Sequence, residues 1–138
     1  MTMRQTFGNW TQATGWTITA LANNTSNTSG AIDNTTQRSY AMEVNVTTVK
    51  ATGAGTGTYE LWMLPEGNDG AVQDNSIPPF GGRLVGVMTS EATTTERNQS
   101  FRVNELPEKF KFYITNLSGA TTAAGTDVRY RYVDFVDV

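Results

Sequence analysis

The sequence predicts an all-β protein: a single β-sandwich, jelly-roll-like, of about eight antiparallel strands. Three observations predict it. Only 17% of the 138 residues are charged, so the polarity is carried by Thr, Asn, Ser and Gly. Thr fits a pleated surface, while Asn and Gly supply the positive-φ positions of tight turns. Apolar residues recur with a period of two in short runs, and the Glu/Lys/Ala/Leu runs of amphipathic helices are missing. A chain of this length buries a working core as one domain.

In chain order, Met1 to Gly15 is polar apart from Phe7 and Trp10 and reads as an N-terminal arm, leaving 16–138 as the sandwich. Trp16 to Leu21 alternates, with Trp16, Ile18 and Ala20 on one face, and reads as a short strand. The polar run 23–30 reads as a turn. Ala31-Ile32 begins a brief edge strand stopped by Asp33-Asn34. In Tyr40 to Val49, residues Tyr40, Met42, Val44 and Val46 point one way, and Glu43, Asn45 and Thr47 the other. Thr52 to Gly57 reads as a flexible connection. Thr58 to Leu64 places Tyr59, Leu61 and Met63 opposite Glu60, Trp62 and Leu64, a central strand with apolar bulk on both faces. Pro65 to Phe80 is the longest irregular stretch, and Pro78-Pro79 blocks regular structure. Strands follow at Leu84 to Met88, Thr93 to Glu96, Ser100 to Val103, Phe110 to Thr115, and from Val128 towards Val136.

Composition excludes several functions. With no Cys, disulfides and thiolate metal sites are ruled out, and with no His the commonest general base and zinc ligand are missing. A net charge of -3 with scattered Lys and Arg argues against nucleic acid as a partner. No apolar stretch is long enough to span a membrane, and Met1 to Phe7 has no signal-peptide core, so synthesis in a cytosol is expected. Asn-X-Ser/Thr triplets such as Asn116-Leu117-Ser118 then follow from composition rather than glycosylation.

No motif carries catalysis. Gly53-Ala54-Gly55-Thr56-Gly57 leads into a strand, whereas a phosphate cradle opens a helix. Asp69 and Asp74, with Glu66, fall short of a calcium ligand set. Glu43, Glu60, Glu91, Glu96 and Glu105 show no paired-carboxylate arrangement, and Lys50, Lys109 and Lys111 have no partner serine. The chain is therefore expected not to be an enzyme, with no cofactor and no metal. The aromatic residues stand out more. Trp16 reads as core. Phe7 and Trp10 read as docking anchors, Trp62 as an outward interface residue, and Arg129 and Arg131 as a partner-binding stripe alternating with tyrosines. Trp10, Trp62 and Tyr113 could instead form the stacking platform of a carbohydrate-binding module.

Thr19-Ala20-Leu21-Ala22-Asn23, Ala31-Ile32-Asp33-Asn34-Thr35-Thr36, Tyr59-Glu60-Leu61-Trp62, Arg83-Leu84-Val85-Gly86-Val87, Leu106-Pro107-Glu108-Lys109-Phe110-Lys111-Phe112 and Ile114-Thr115-Asn116-Leu117-Ser118-Gly119-Ala120 resemble, in order and spacing, small virion structural proteins of tailed phages. The resemblance covers most of the chain after Gly15, except Pro65 to Phe80. A looser one links it to jelly-roll cement proteins. It implies a capsid decoration or cement protein that stabilises an assembled head by binding it. Partners would be the major capsid protein or other virion proteins, and the chain itself as a dimer or trimer, on the capsid surface after synthesis in the host cytoplasm. A neck, tail or fibre component is the neighbouring alternative. The family brings no catalytic residues.

Overall fold

The computed structural model describes residues 2–66 and 82–138. Ten strands form: β1 (Met3–Phe7), β2 (Thr11–Gln12), β3 (Thr25–Thr28), β4 (Ile32–Asp33), β5 (Ala41–Thr48), β6 (Thr58–Pro65), β7 (Arg83–Thr89), β8 (Arg97–Asn104), β9 (Lys109–Leu117) and β10 (Asp127–Asp137). One sheet runs β1-β10-β5-β8, with β2 also on β10; the other runs β3-β9-β6-β7, with β4 also on β9. All pairings between these strands are antiparallel. Since β5 takes one side of β10, β1 and β2 share the other as one interrupted lane, and β3 and β4 do the same beside β9. Counted so, eight lanes pair first with last, last with third and third with sixth. In the second sheet, second pairs with seventh, seventh with fourth and fourth with fifth. This is the winding of a jelly roll.

The core follows from the period of two. Met42, Val44, Val46 and Val128 face Tyr59, Leu61, Met63, Phe110, Phe112 and Ile114 across the interior. An aromatic file joins the sheets: Phe110 meets Phe112 edge-on with centroids 5.7 Å apart, Phe112 meets Tyr130 at 6.2 Å, and Tyr130 meets Tyr132 at 5.8 Å. Where β7 and β8 come together at one side of the sandwich, Gly86 lies under the Phe101 ring, and a Cβ there would fall 2.3 Å from Cε1. Ring and glycine make one contact.

Several expectations change. The segment read as an arm is woven into the sheet: β1 pairs with β10 from Met3↔Asp137 to Phe7↔Val133, β2 pairs with it at Thr11 and Gln12, and Ala13 is buried. A ladder is made by backbone groups, so polar side chains do not prevent it. Trp16 to Leu21 is no strand. Ile18 and Leu21 are buried, but Thr122 serves their backbone: its Oγ1 donates to Ile18 O (2.5 Å) and accepts from Leu21 N (2.8 Å). The turn read at 23–30 contains β3, paired with β9, and the turn itself narrows to Asn24 at φ 61°. Thr93 to Glu96 lies outside the ladders, which begin at Arg97. Tyr40 is exposed just before β5 starts. Thr52 to Gly57 owes its glycines to close packing. A Cβ on Gly57 would lie 1.9 Å from Leu117 O, and Gly55, at φ 75°, abuts Ser118 O. Pro65 to Phe80 lies largely outside the described residues.

Burial raises the tyrosine hydroxyls of the core. Desolvation pushes up Tyr59 and Tyr130, and it pushes Tyr132 to about 12, with further contributions from Tyr130 and Asp33. The unfolded chain releases these protons near pH 10, so above that pH it binds fewer protons than the folded chain. Stability is therefore expected to be intact below pH 10 and to fall as pH rises from 10 towards 12. Tyrosinate absorbance alongside urea midpoints checks this. A midpoint unchanged across that window would show the three hydroxyls to be freely solvated.

Candidate functional site

The outer face of the β1-β10-β5-β8 sheet gathers four of the five residues singled out from sequence. Inward Val128, Tyr130 and Tyr132 oblige Arg129 and Arg131 to point out. Between β1 and β2 the backbone leaves the ladder: Gly8 N still donates to Tyr132 O (2.9 Å), and Trp10 stands in the gap before Thr11 rejoins. The Arg131 guanidinium lies over both aromatics, its Cζ 4.5 Å from the Phe7 centroid and 4.7 Å from that of Trp10. Its Nη2 and Nε donate to Glu43 Oε2 at 2.6 and 2.7 Å. Each cation–π contact is worth about 0.5–2 kcal/mol. Together with the ion pair, they hold the indole in place.

Trp10 stays 42% exposed. It borders a depression of about 260 Å³ shared with Asn45 and Arg129, which sit opposite each other in register. Arg129 Nε donates to Asp127 Oδ2 at 2.7 Å, and Asn45 Nδ2 donates to Ser100 Oγ at 3.0 Å. These bonds aim the side chains and leave further guanidinium and amide groups available. Past Asn45, Thr47 Oγ1 donates to Asn98 Oδ1 at 2.5 Å. The amide of Gln5, with its oxygen accepting, meets the Arg102 guanidinium at 2.7 and 2.9 Å. That pair reaches over β10 and β5, where Val133 and Ala41 are fully buried. The face is thus an exposed indole at one edge beside amides, hydroxyls and pinned guanidiniums.

Trp62 is not part of this face. It lies on the outside of the opposite sheet, beside Tyr113 in register, with Nε1 donating to Glu60 Oε2 at 3.3 Å. Tyr113 is 3% exposed. The three-aromatic platform of Trp10, Trp62 and Tyr113 is therefore corrected: the aromatics occupy opposite faces, and one is covered. Trp16 packs on the core with Nε1 donating to Ala13 O (3.1 Å), as expected. Asn45 and Asp127 escaped the sequence reading because strand register, not residue type, places them beside Trp10.

Neither a protein-family model nor a curated protein sequence matches the chain. Among solved structures, it is similar to the CBM22-1 xylan-binding domain of Paenibacillus barcinonensis Xyn10C, with 10% identity and a TM-score of 0.45 over 94% of this chain and 86% of that one. It is similar to the CBM35 of Cellvibrio japonicus Abf62 at 12% identity and a TM-score of 0.45, covering 97% and 99%. BuGH86 in complex with neoagarooctaose gives 11% identity and a TM-score of 0.46 over 98% of this chain, but only 20% of that protein.

Among the described residues, the carboxylates do not converge. Glu43 is held by Arg131 on one face and Glu60 by Trp62 on the other, so they cannot flank one bond. Glu91 pairs with Arg97. Among the described residues, no three His, Cys, Asp or Glu side chains gather to hold a metal, and no helix is long and apolar enough to cross a membrane. Asp69 and Asp74 lie outside the described residues. Lys50 is buried, its Nζ donating to the carbonyls of Gly55 (2.7 Å) and Glu91 (2.8 Å). It ties two loops together.

Proposed function

We propose that this chain is a non-catalytic binding module that takes a carbohydrate on the Trp10 face. One observation carries the reading: an indole fixed by Arg131 borders a depression whose other walls are Asn45 and Arg129. The C–H face of a sugar ring stacks on an indole, while amide and guanidinium groups match its hydroxyls, the mix of apolar surface and few placed polar groups that small-ligand sites use. Holding the indole beforehand lowers the ordering cost of binding.

A glycan array followed by titration calorimetry tests it. Saturable binding to at least one glycan is expected, and Trp10→Ala should weaken it tenfold or more, a change of at least about 1.4 kcal/mol. Trp62→Ala, on the other sheet, should leave it intact. Tyr40→Ala serves as a second control, at a separate depression of about 310 Å³ between Arg38 and Glu108. Absence of saturable binding, or binding lost in either control but not in Trp10→Ala, sinks the reading.

A second reading, a structural role in a virion on the capsid surface, is favoured by the outside of the other sheet. Leu84 opposite Trp62, Val87 opposite Glu60 and Leu117 opposite Thr58 are exposed there along β6, and apolar surface of this kind suits docking on a major capsid protein or other virion protein. Mass spectrometry of purified particles tests it: a high copy number supports decoration, a handful of copies a neck, tail or fibre position, and absence removes it.

A further inference from the structure

We infer that β1 is a dimerisation edge, pairing antiparallel with β1 of a second copy of this chain about a two-fold axis at Gln5. The inference stands independently of the carbohydrate reading.

The hydrogen-bond phase of β1 is known from its flanks. Gly8 N donates to Tyr132 O and Val138 N to Thr2 O, so the even-numbered residues direct their backbone groups at β10. The odd-numbered residues Met3, Gln5 and Phe7 therefore turn their N–H and C=O groups to the open side. No residue among those described bonds to them there. An open edge of this kind is a template for another strand, and β1 lacks a proline to block it.

Pairing β1 with its own copy permits few registers. Facing residues in a sheet share a side, so a two-fold axis must fall at a residue, not between residues. An axis at Arg4 would set Arg4 against Arg4 and leave Phe7 beyond the partner strand. An axis at Thr6 would leave Met3 unpaired. An axis at Gln5 pairs Gln5 with Gln5 and Met3 with Phe7 twice, and it uses every open backbone group of both strands in these three pairs.

Side chains and charge agree with this register. Met3 and Phe7, 53% and 47% exposed, become cross-strand partners on the outer side. Arg4 faces Thr6 of the copy, and Thr6 pairs with Asp134 within its own chain. Arg4 then shares a row with the copy's Asp134 two strands away, about 10 Å between Cα atoms, within reach of a long guanidinium side chain. The joined sheet runs β8-β5-β10-β1 and back through the copy. The axis is perpendicular to it, so both Trp10 faces open on the same side, an isologous and bivalent arrangement.

The chain has no cysteine, which makes the test specific. The native protein should sediment at twice the 15.0 kDa of one chain. Under mild oxidation, Gln5→Cys should link into a disulfide dimer, because facing Cα atoms about 5.5 Å apart lie within disulfide range. Arg4→Cys should not link, its copies lying about 8 Å apart on the diagonal. Gln5→Pro removes an outward N–H and no bond to β10. It should sediment as a single chain with an unchanged circular dichroism spectrum. A native mass of one or three chains overturns the proposal. So does linking by Arg4→Cys as readily as by Gln5→Cys, or a doubled mass persisting in Gln5→Pro. Glycan binding by a monomeric native protein would sink the dimer alone, leaving the Trp10 site standing.

Discussion

Asn116→Asp is expected to cost the fold about 3–5 kcal/mol, against a total stability of about 5–15 kcal/mol. Asn116 is fully buried at the end of β9. Its Nδ2 donates to Leu21 O (2.9 Å) and Ala120 O (2.8 Å), and its Oδ1 accepts from Ser118 N (3.0 Å). One side chain thereby fastens the 18–22 segment and the turn after β9 to the second sheet. Aspartate puts a buried negative charge against two carbonyl oxygens and removes both donors. Urea denaturation near neutral pH reads the loss. Part of it should return in acid, where the protonated carboxyl regains one donor. A loss below about 1 kcal/mol would mean that the site admits water, and the fastening role would fall.

Phe112→Ala is the second large effect, about 3–5 kcal/mol. The side chain is fully buried, and its ring is the link in the aromatic file that passes from one sheet to the other, between Phe110 and Tyr130. Its backbone is tied in as well: its N–H donates to Ser29 Oγ at 2.9 Å, and its carbonyl accepts from Ser29 N at 2.8 Å. Those bonds survive the substitution, so the loss isolates packing. A double-mutant cycle with Tyr130→Leu should show a coupling of about 0.5–1.5 kcal/mol from the ring pair. Strict additivity would show that the two sheets meet without a specific aromatic contact there.

The strands most legible in the sequence are those whose alternate residues fill the core. β5, β6, β9 and β10 alternate because Val44, Leu61, Phe112 and Val128 reach the interior, and their outward neighbours do not. β1, β2 and β3 left no such signature. They are edge pieces held by backbone bonds to β10 and β9, and their polar side chains record nothing of that pairing. The reverse error at Trp16 to Leu21 has the same root: alternation reports burial, and there a threonine side chain, not a neighbouring strand, serves the backbone. At the site, Phe7, Trp10, Arg129 and Arg131 were visible as residue types. Their meeting was not, because it depends on β1 and β2 folding back along β10. The outward direction of Trp62 was legible from parity, but the sheet that carries it was not.

The gap between β1 and β2 has a consequence for variation. Trp10 stands where the ladder along β10 is interrupted, with Gly8 bonded before it and Thr11 paired after it. The rungs on either side do not depend on what occupies the gap. Residues there can be exchanged or lengthened without breaking a rung, at a cost limited to the Arg131 contact with Trp10, about 0.5–2 kcal/mol, while Arg129, Arg131 and Asn45 stay anchored in continuous strands. Under the carbohydrate proposal, ligand preference and foldedness would thereby be separated, and a library confined to positions 9 and 10 would test whether specificity changes on an unchanged scaffold.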